Sequence, residues 1–235
     1  MAQEVMLALG CTQIPYHHKD LFIFLEEVVK AFRPNLFIHL GDEVDQMGMN
    51  FFDDDPDTEY SLVGEANANI KYMNMLRDIF GDKCIVLHSN HGSLLYRRAK
   101  KSGIPRQYLK EYNDLYKLPP GWTWRFEYIH ELEDGRKIYF HHGKAKPILK
   151  TSMTKGMCVV QAHYHDQFYV VYRSDGKRHL WQAQTGCLCD KDSLAMAYGK
   201  NNVAETVLGC LIIVNGTPIP IPMKVDWNNR WIRSI

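Results

Sequence analysis

Short apolar runs alternate with stretches of helical period along the first half of the chain. "EVMLAL" reads as a buried strand closed by a polar turn. In "DLFIFLEEVVKAF", Leu21, Leu25, Val28 and Phe32 recur at helical spacing, and Asp20 stands where an N-cap belongs. "PNLFIHLGD" predicts a second strand and "KCIVLHSNHG" a third. Between them "GEANANIKYMNMLRDIFGD" predicts a helix with Ile70, Met73, Leu76 and Phe80 on one side, and Met47 to Tyr60 reads as a polar loop. Near Trp122 the texture changes. "WRFEYIHELEDGRKIYFHHG" predicts a hairpin about Asp134 and Gly135. The runs "CVVQAH", "QFYVVYR", "RHLWQAQ", "VLGCLIIV" and "TPIPIPMKV" follow as strands. Alternating strands and helices predict a parallel sheet, and the strand-rich half adds a second sheet. The expected fold is an α/β sandwich of two sheets around one core, with residues 1–235 as one domain.

Composition changes this picture little. The chain has 235 residues, 46% hydrophobic and 23% charged, with a net charge of +1. No global field draws it to nucleic acid or membrane. The start lacks a basic segment followed by a long apolar one, and no apolar run is long enough to span a bilayer. The six cysteines, Cys11, Cys84, Cys158, Cys187, Cys189 and Cys210, fit neither a zinc ribbon nor a secreted disulfide framework. They predict a reducing cytoplasm in which most of the thiols are small core residues.

Candidate chemistry sits just past the strands. His163 and His165 in "AHYH" are two positions apart, so an extended backbone aims both imidazoles the same way. Two imidazoles make half a metal site and do not specify one. The other strand ends read "GCTQIP", "GDEVD", "SNH" and "HHG", all polar and mostly of metal-ligand type. In open α/β sheets ligands gather at the carboxyl ends of strands, so Asp, Asn and His from separate ends would converge.

This ordered set resembles the calcineurin-like metallophosphoesterase family. "GDEVD", "SNH", "HHG" and "AHYH" match its later motifs, "CTQ" occupies the first, and the compact chain looks like its small phage-type members. The resemblance runs from about Leu9 to His165 and implies a four-layer α/β/β/α sandwich, with the later strands completing the second sheet. It implies two divalent metal ions, manganese foremost, with zinc, iron or nickel as alternatives. By the same resemblance Asp42 bridges both metals. Asn90, His142 and His163 complete the second, and His165 belongs to the first beside Cys11 and Gln13. His142 is preferred to His141 because it directly precedes Gly143. His91 would assist the leaving oxygen and Asp45 would orient it. The implied reaction is attack of a metal-bound hydroxide on phosphorus.

The first motif departs from the family, which has Asp at the Cys11 position and His at the Gln13 position. Cys11 is then either a thiolate for a soft metal or a buried thiol beside a weakened first site. Gln46 and Met47 stand where protein phosphatases of the family carry Arg-Gly, and Gly92 where they carry Glu, which argues against that class. The segment from Ser93 to Trp124 is basic and aromatic. Arg97 and Arg98 are candidate substrate-binding residues, and Tyr108, Tyr112, Tyr116, Trp122 and Trp124 are either a platform for single-stranded nucleic acid or core aromatics beside a solvated helix. The expected activity is hydrolysis of phosphodiesters in nucleic acid or nucleotides, in the cytoplasm, or the host cytoplasm for a phage protein. The rivals are a phosphomonoesterase of small molecules or phosphoproteins, and a catalytically weakened member that binds nucleic acid or a partner. No membrane partner is expected, and the sequence sets no oligomeric state.

Overall fold

The computed structural model describes residues 3–49, 61–144, 147, 149–174, 176, 178–193 and 206–235. The first predicted strand is β1 (Val5–Leu9), every residue of it buried. Helix α1 (Leu21–Phe32) follows, burying Leu21, Phe22, Phe24, Leu25 and Val28. Strands β2 (Leu36–His39) and β3 (Cys84–Leu87) flank helix α2 (Leu62–Phe80), whose buried side includes Met73, Leu76 and Phe80. Helices α3 (Leu94–Lys101) and α4 (Tyr112–Tyr116) lead to β4 (Trp122–Arg125). Most of the loop expected from Met47 to Tyr60 lies outside the described residues.

The second half contains β5 (Tyr128–Glu131), β6 (Lys137–His141), α5 (Lys150–Lys155), β7 (Cys158–Gln161), β8 (Phe168–Ser174), β9 (His179–Thr185), β10 (Gly209–Val214) and β11 (Thr217–Pro222). One sheet has the order β11-β10-β1-β2-β3-β4, the other β5-β6-β7-β9-β8. In the first, β1 to β4 run parallel. In the second, β6, β7 and β9 run parallel. The sheets share one apolar cluster that includes Leu7, Leu9, Val160, Ala162 and Ala183. With α1 and α2 packed on each other and sharing the apolar cluster with the first sheet, and short α5 against β7 and β9 of the second, the architecture is the four-layer α/β/β/α sandwich.

Three local expectations change. The last two strands return to the first sheet: β10 pairs antiparallel with β1 and β11 with β10. Strand periodicity marks a strand but not its neighbour, and the prolines of β11 suit an edge position. Trp124 and Arg125 belong to β4 and not to the hairpin, which begins at Tyr128. Trp122 anchors that strand in the core, with 2% of its surface exposed. Asp20 does not cap α1 with its side chain. Its carboxylate accepts instead from Arg230 and from the Trp231 backbone N–H.

Candidate metal centre

Because the strands that carry candidate ligands run parallel within each sheet, their carboxyl ends meet along one edge of the sandwich. The loop after β1 lies alongside the loop after β2. Cys11 N–H donates to Gly41 O at 2.9 Å, Gln13 N–H to Asp42 O at 3.0 Å and Ile14 N–H to Glu43 O at 3.1 Å. Asp45 N–H returns to Ile14 O at 2.8 Å. Gly41 makes this approach possible. It has φ +98°, and a Cβ there would lie 2.6 Å from Ser89 Cβ and 2.7 Å from Leu87 O. Cys11, Gln13, Asp42 and His163 all adopt positive φ, a conformation that costs about 1–3 kcal/mol for such residues and clusters at functional sites.

Asp42, Asn90, His142 and His163 come together. His142 Nε2 lies 2.8 Å from Asn90 Oδ1, 3.1 Å from His163 Nδ1 and 3.2 Å from Asp42 Oδ2. Its other nitrogen, Nδ1, is 2.9 Å from the Leu40 carbonyl and donates to it, which fixes the tautomer. The Nε2 lone pair therefore faces two acceptor oxygens and the Nδ1 of His163. With a carboxylate among them, such a set favours a cation at its centre: a proton on Nε2 or a metal ion. Burial works against a charged His142, but Asp42 outweighs it and raises the pKa. Burial likewise opposes the Asp42 carboxylate, yet His142 and His91 hold its pKa well below the usual range. A divalent cation would take the place of that proton. The donor set fits one. Asp42 and His142 form the buried floor, while Asn90 and His163 are exposed, so the group opens to solvent.

His91 lies at the rim. Its backbone N–H donates to Asp42 Oδ1 at 3.0 Å. Its Nδ1 is 2.7 Å from Asp45 O and 3.2 Å from Asp45 Oδ1. Burial disfavours the imidazolium, but Asp42 and Asp45 push its pKa up to about 10. Glu43, which no sequence motif singles out, is 1% exposed, and its carboxyl oxygens have no partner among the described residues. Burial pushes its pKa up to about 7. Glu43 also abuts Gly92, where a Cβ would approach Glu43 Oε1 to 2.8 Å. An acidic side chain at position 92 would meet a second carboxyl group.

Behind this floor His39 is fully buried. It accepts from Gly41 N–H through Nδ1 and donates from Nε2 to Thr12 Oγ1, which donates in turn to Glu43 O. Burial lowers its pKa to about 3, so this bracket between the two loops is neutral.

His141 makes no side-chain hydrogen bond to the four-residue group among the described residues and packs against Tyr139, and burial holds its pKa down at about 3. His165 lies apart from the four-residue group, with Nδ1 4.0 Å from Cys189 Sγ. Cys11 stands between the two clusters, within reach of Asp42 and His142. Gln13 is 1% exposed, and neither atom of its amide has a partner among the described residues. Arg97 donates to the Asn90 carbonyl at 2.6 Å, beside the centre, whereas Arg98 donates to Met49 O. Tyr112, Tyr116 and Trp122 are buried, and Trp124 stacks on Tyr112 at 5.0 Å. Of the aromatics in this segment only Tyr108 is largely exposed, so they serve the core and not a surface platform.

A sixth strand end, after β9, also reaches this edge and carries Cys187 and Cys189. The sequence predicts core positions for most of the six thiols and singles out neither of these two. The strand-end pattern that selected the other segments would have found them, because "QTGCLCD" closes "RHLWQAQ" with ligand-type residues.

A family model described as calcineurin-like phosphoesterase matches residues 6–199. No curated protein matches the sequence significantly. Among solved structures, Vps29 of Chaetomium thermophilum aligns at 12% identity with a TM-score of 0.51, covering 97% of this chain and 93% of that one. Vacuolar protein sorting 29 of Cryptosporidium parvum aligns at 14% identity and TM-score 0.49, covering 90% and 85%. Pseudomonas putida nuclease MPE aligns at 9% identity and TM-score 0.36, covering 92% and 86%. The first of these likenesses concerns the fold alone, and the other two are too distant to add to it.

Proposed function

The chain belongs to the calcineurin-like phosphoesterase family, and from that premise we propose that it is a metal-dependent phosphoesterase whose substrates are phosphodiesters. The convergence of Asp42, Asn90 and His163 on His142 Nε2 carries this reading, because a carboxylate, an amide oxygen and two imidazole nitrogens gathered at a face open to solvent are the donor types that hold a divalent cation. Bound divalent cations would supply Lewis-acid activation and neutralise charge developing on phosphorus.

The chain's own residues do the rest. Asp42 and His142 form the buried floor, and His142 Nε2 holds Asn90 Oδ1 and His163 Nδ1 at the open face, where these four residues would hold a cation. Asp45 holds His91 through Nδ1, which leaves Nε2 as the nitrogen that meets a leaving oxygen. Protonated His91 delivers its proton there, which matters most for alkoxide leaving groups. Gln46, in the position that follows Asp45, turns its amide oxygen to the Leu95 N–H at 3.3 Å and offers no cation to a phosphate. A singly charged diester needs less positive charge than a doubly charged monoester, which supports the diester reading.

Turnover of bis-p-nitrophenyl phosphate against p-nitrophenyl phosphate, with manganese, zinc, iron or nickel supplied in turn, tests it. The diester is expected to react faster and a chelator to stop the reaction. Monoester preference would reassign the substrate class. No turnover with any of these metals would overturn the catalytic reading and leave a binding protein.

A further inference from the structure

We propose that Cys187, Cys189 and His165, closed by Cys11, form a thiolate site for a soft divalent cation of the zinc type beside Asp42. The first-metal position is then rebuilt in sulfur and not merely weakened. This site stands whether or not the chain hydrolyses phosphate esters.

Topology brings the residues together. β7 and β9 are adjacent and parallel, so the segments after Gln161 and Thr185 emerge at the same edge. Val207 ties them to each other: its N–H donates to His165 O at 2.8 Å, and its carbonyl accepts from Cys187 N–H at 3.0 Å. On its other side the Cys-Leu-Cys segment is docked on the loop after β1. Leu188 N–H donates to Cys11 O at 3.0 Å, His18 N–H to Leu188 O at 2.9 Å and Asp190 N–H to Tyr16 O at 2.9 Å. Held extended, the segment turns Cys187 and Cys189 to one side and Leu188 to the other. Leu188 is fully buried in the core.

The distances suit a shared ion. The Cys187 and Cys189 sulfurs are 3.4 Å apart, and Cys189 Sγ is 4.0 Å from His165 Nδ1. In a tetrahedral zinc site with Zn–S of about 2.3 Å and Zn–N of about 2.0 Å, ligand atoms stand roughly 3.6–3.8 Å apart. All three ligand atoms lie within 4.8 Å of one another. Cys11 Sγ belongs to a second such group with Asp42 and His142, and it receives His163 N–H at 3.3 Å. Cys11 thus groups with Asp42 on one side and, through its carbonyl, accepts the Leu188 N–H of the Cys-Leu-Cys segment on the other, where a fourth ligand belongs.

A plain cluster of core thiols would explain the burial of these sulfurs. It would not explain an imidazole nitrogen turned onto them, nor the buried Gln13 amide, two residues beyond Cys11, which has no partner among the described residues. Thiolates favour zinc or cadmium, whereas the Asp42, Asn90, His142 and His163 group of nitrogen and oxygen donors suits manganese. Two neighbouring positions would thus take different metals.

The test uses the reduced full-length chain, stripped of metal and titrated with cobalt(II) alone and then with zinc. Cobalt is expected to give intense sulfur-to-metal charge-transfer absorption that one equivalent of zinc abolishes. His165→Gln, at a partly exposed position, should weaken cobalt binding by roughly 10–100-fold or more. The Cys187→Ser/Cys189→Ser variant should lose the absorption, and His142→Ala should keep it. Should the double variant not fold, zinc is still expected to raise the melting temperature of the unaltered chain and to shield its thiols from alkylation. Absence of the absorption in the folded chain would overturn the proposal, as would its survival in a folded double variant. These readouts do not involve hydrolysis, so their failure is distinct from failure of the phosphoesterase reading.

Discussion

His142 is the residue on which most of the centre's geometry converges, and its two nitrogens have separate tasks. Nδ1 is spent on Leu40 O, so only Nε2 faces Asp42, Asn90 and His163. His142→Ala should lower manganese stoichiometry by one equivalent, as measured by calorimetric titration. Unchanged stoichiometry would exclude this group as a metal site. His91 should behave differently, because it touches Asp42 through its backbone and keeps its imidazole for Asp45. His91→Ala should leave manganese binding intact and slow poor leaving groups by roughly 10²–10⁴-fold. The loss should be smaller for p-nitrophenolate, which departs without a proton. An equal loss on both would mean that His91 positions phosphate instead. Cys11→Asp probes the remaining position. Aspartate tolerates the left-handed backbone at φ 54° and can accept the His163 N–H now given to sulfur. It should shift retention from zinc towards manganese in a competition experiment. A variant with unchanged preference would remove Cys11 from the ligand set.

At the level of elements, the centre depends on loops held by backbone hydrogen bonds on both sides of the segment after β1. That segment leads into α1, whose start is fastened to the far end of the chain. Arg230 donates to Asp20 from Nε at 2.8 Å and from Nη2 at 2.5 Å, Trp231 N–H adds a third bond at 2.9 Å, and Trp231 packs on Phe24 at 5.4 Å. The Arg230 hydrogen bonds outweigh the opposing effect of burial and lower the Asp20 pKa to about 2. Its ordinary value is close to 4. A carboxylate depressed on folding stabilises the fold above the unfolded pKa, and that contribution disappears as pH falls through the folded one. The difference is worth about 1–2 kcal/mol after discounting for the exposed guanidinium. Asp20→Asn should therefore melt earlier than the unaltered chain at pH 6, with the gap closing between pH 4 and pH 2. A gap independent of pH would assign the loss to packing alone.

Across the whole molecule, the two sheets meet at the centre as well as in the apolar cluster. His142 reaches from the second sheet to Leu40, and His163 N–H reaches Cys11 on the first. Metal should accordingly stabilise the sandwich as a unit. At 100 times the dissociation constant, a bound ion adds about 2.7 kcal/mol, and a melting temperature higher by roughly 5–10 °C follows for a chain of this size. Calorimetry with and without chelator checks this; coincident melts would show that the ions do not link the sheets. Among the described residues no helix is long and apolar enough to cross a membrane. The chain's own pattern determined the two-sheet α/β class, the helices at Leu21–Phe32 and Leu62–Phe80, and the strand ends at which Asp42, Asn90, His142 and His163 stand. Those features are local: periodicity sets the element, and a polar residue after an apolar run marks its end. Tertiary structure decided what depends on neighbours. It returned β10 and β11 to the first sheet, because an apolar strand pairs wherever an open edge accepts it. It turned Tyr112, Tyr116 and Trp122 inward, because composition does not say which face of a short helix or strand is covered. It drew Asp20 to Arg230 across the length of the chain, and it set Cys187 and Cys189 beside His165, because parallel strands adjacent in space need not be adjacent in sequence.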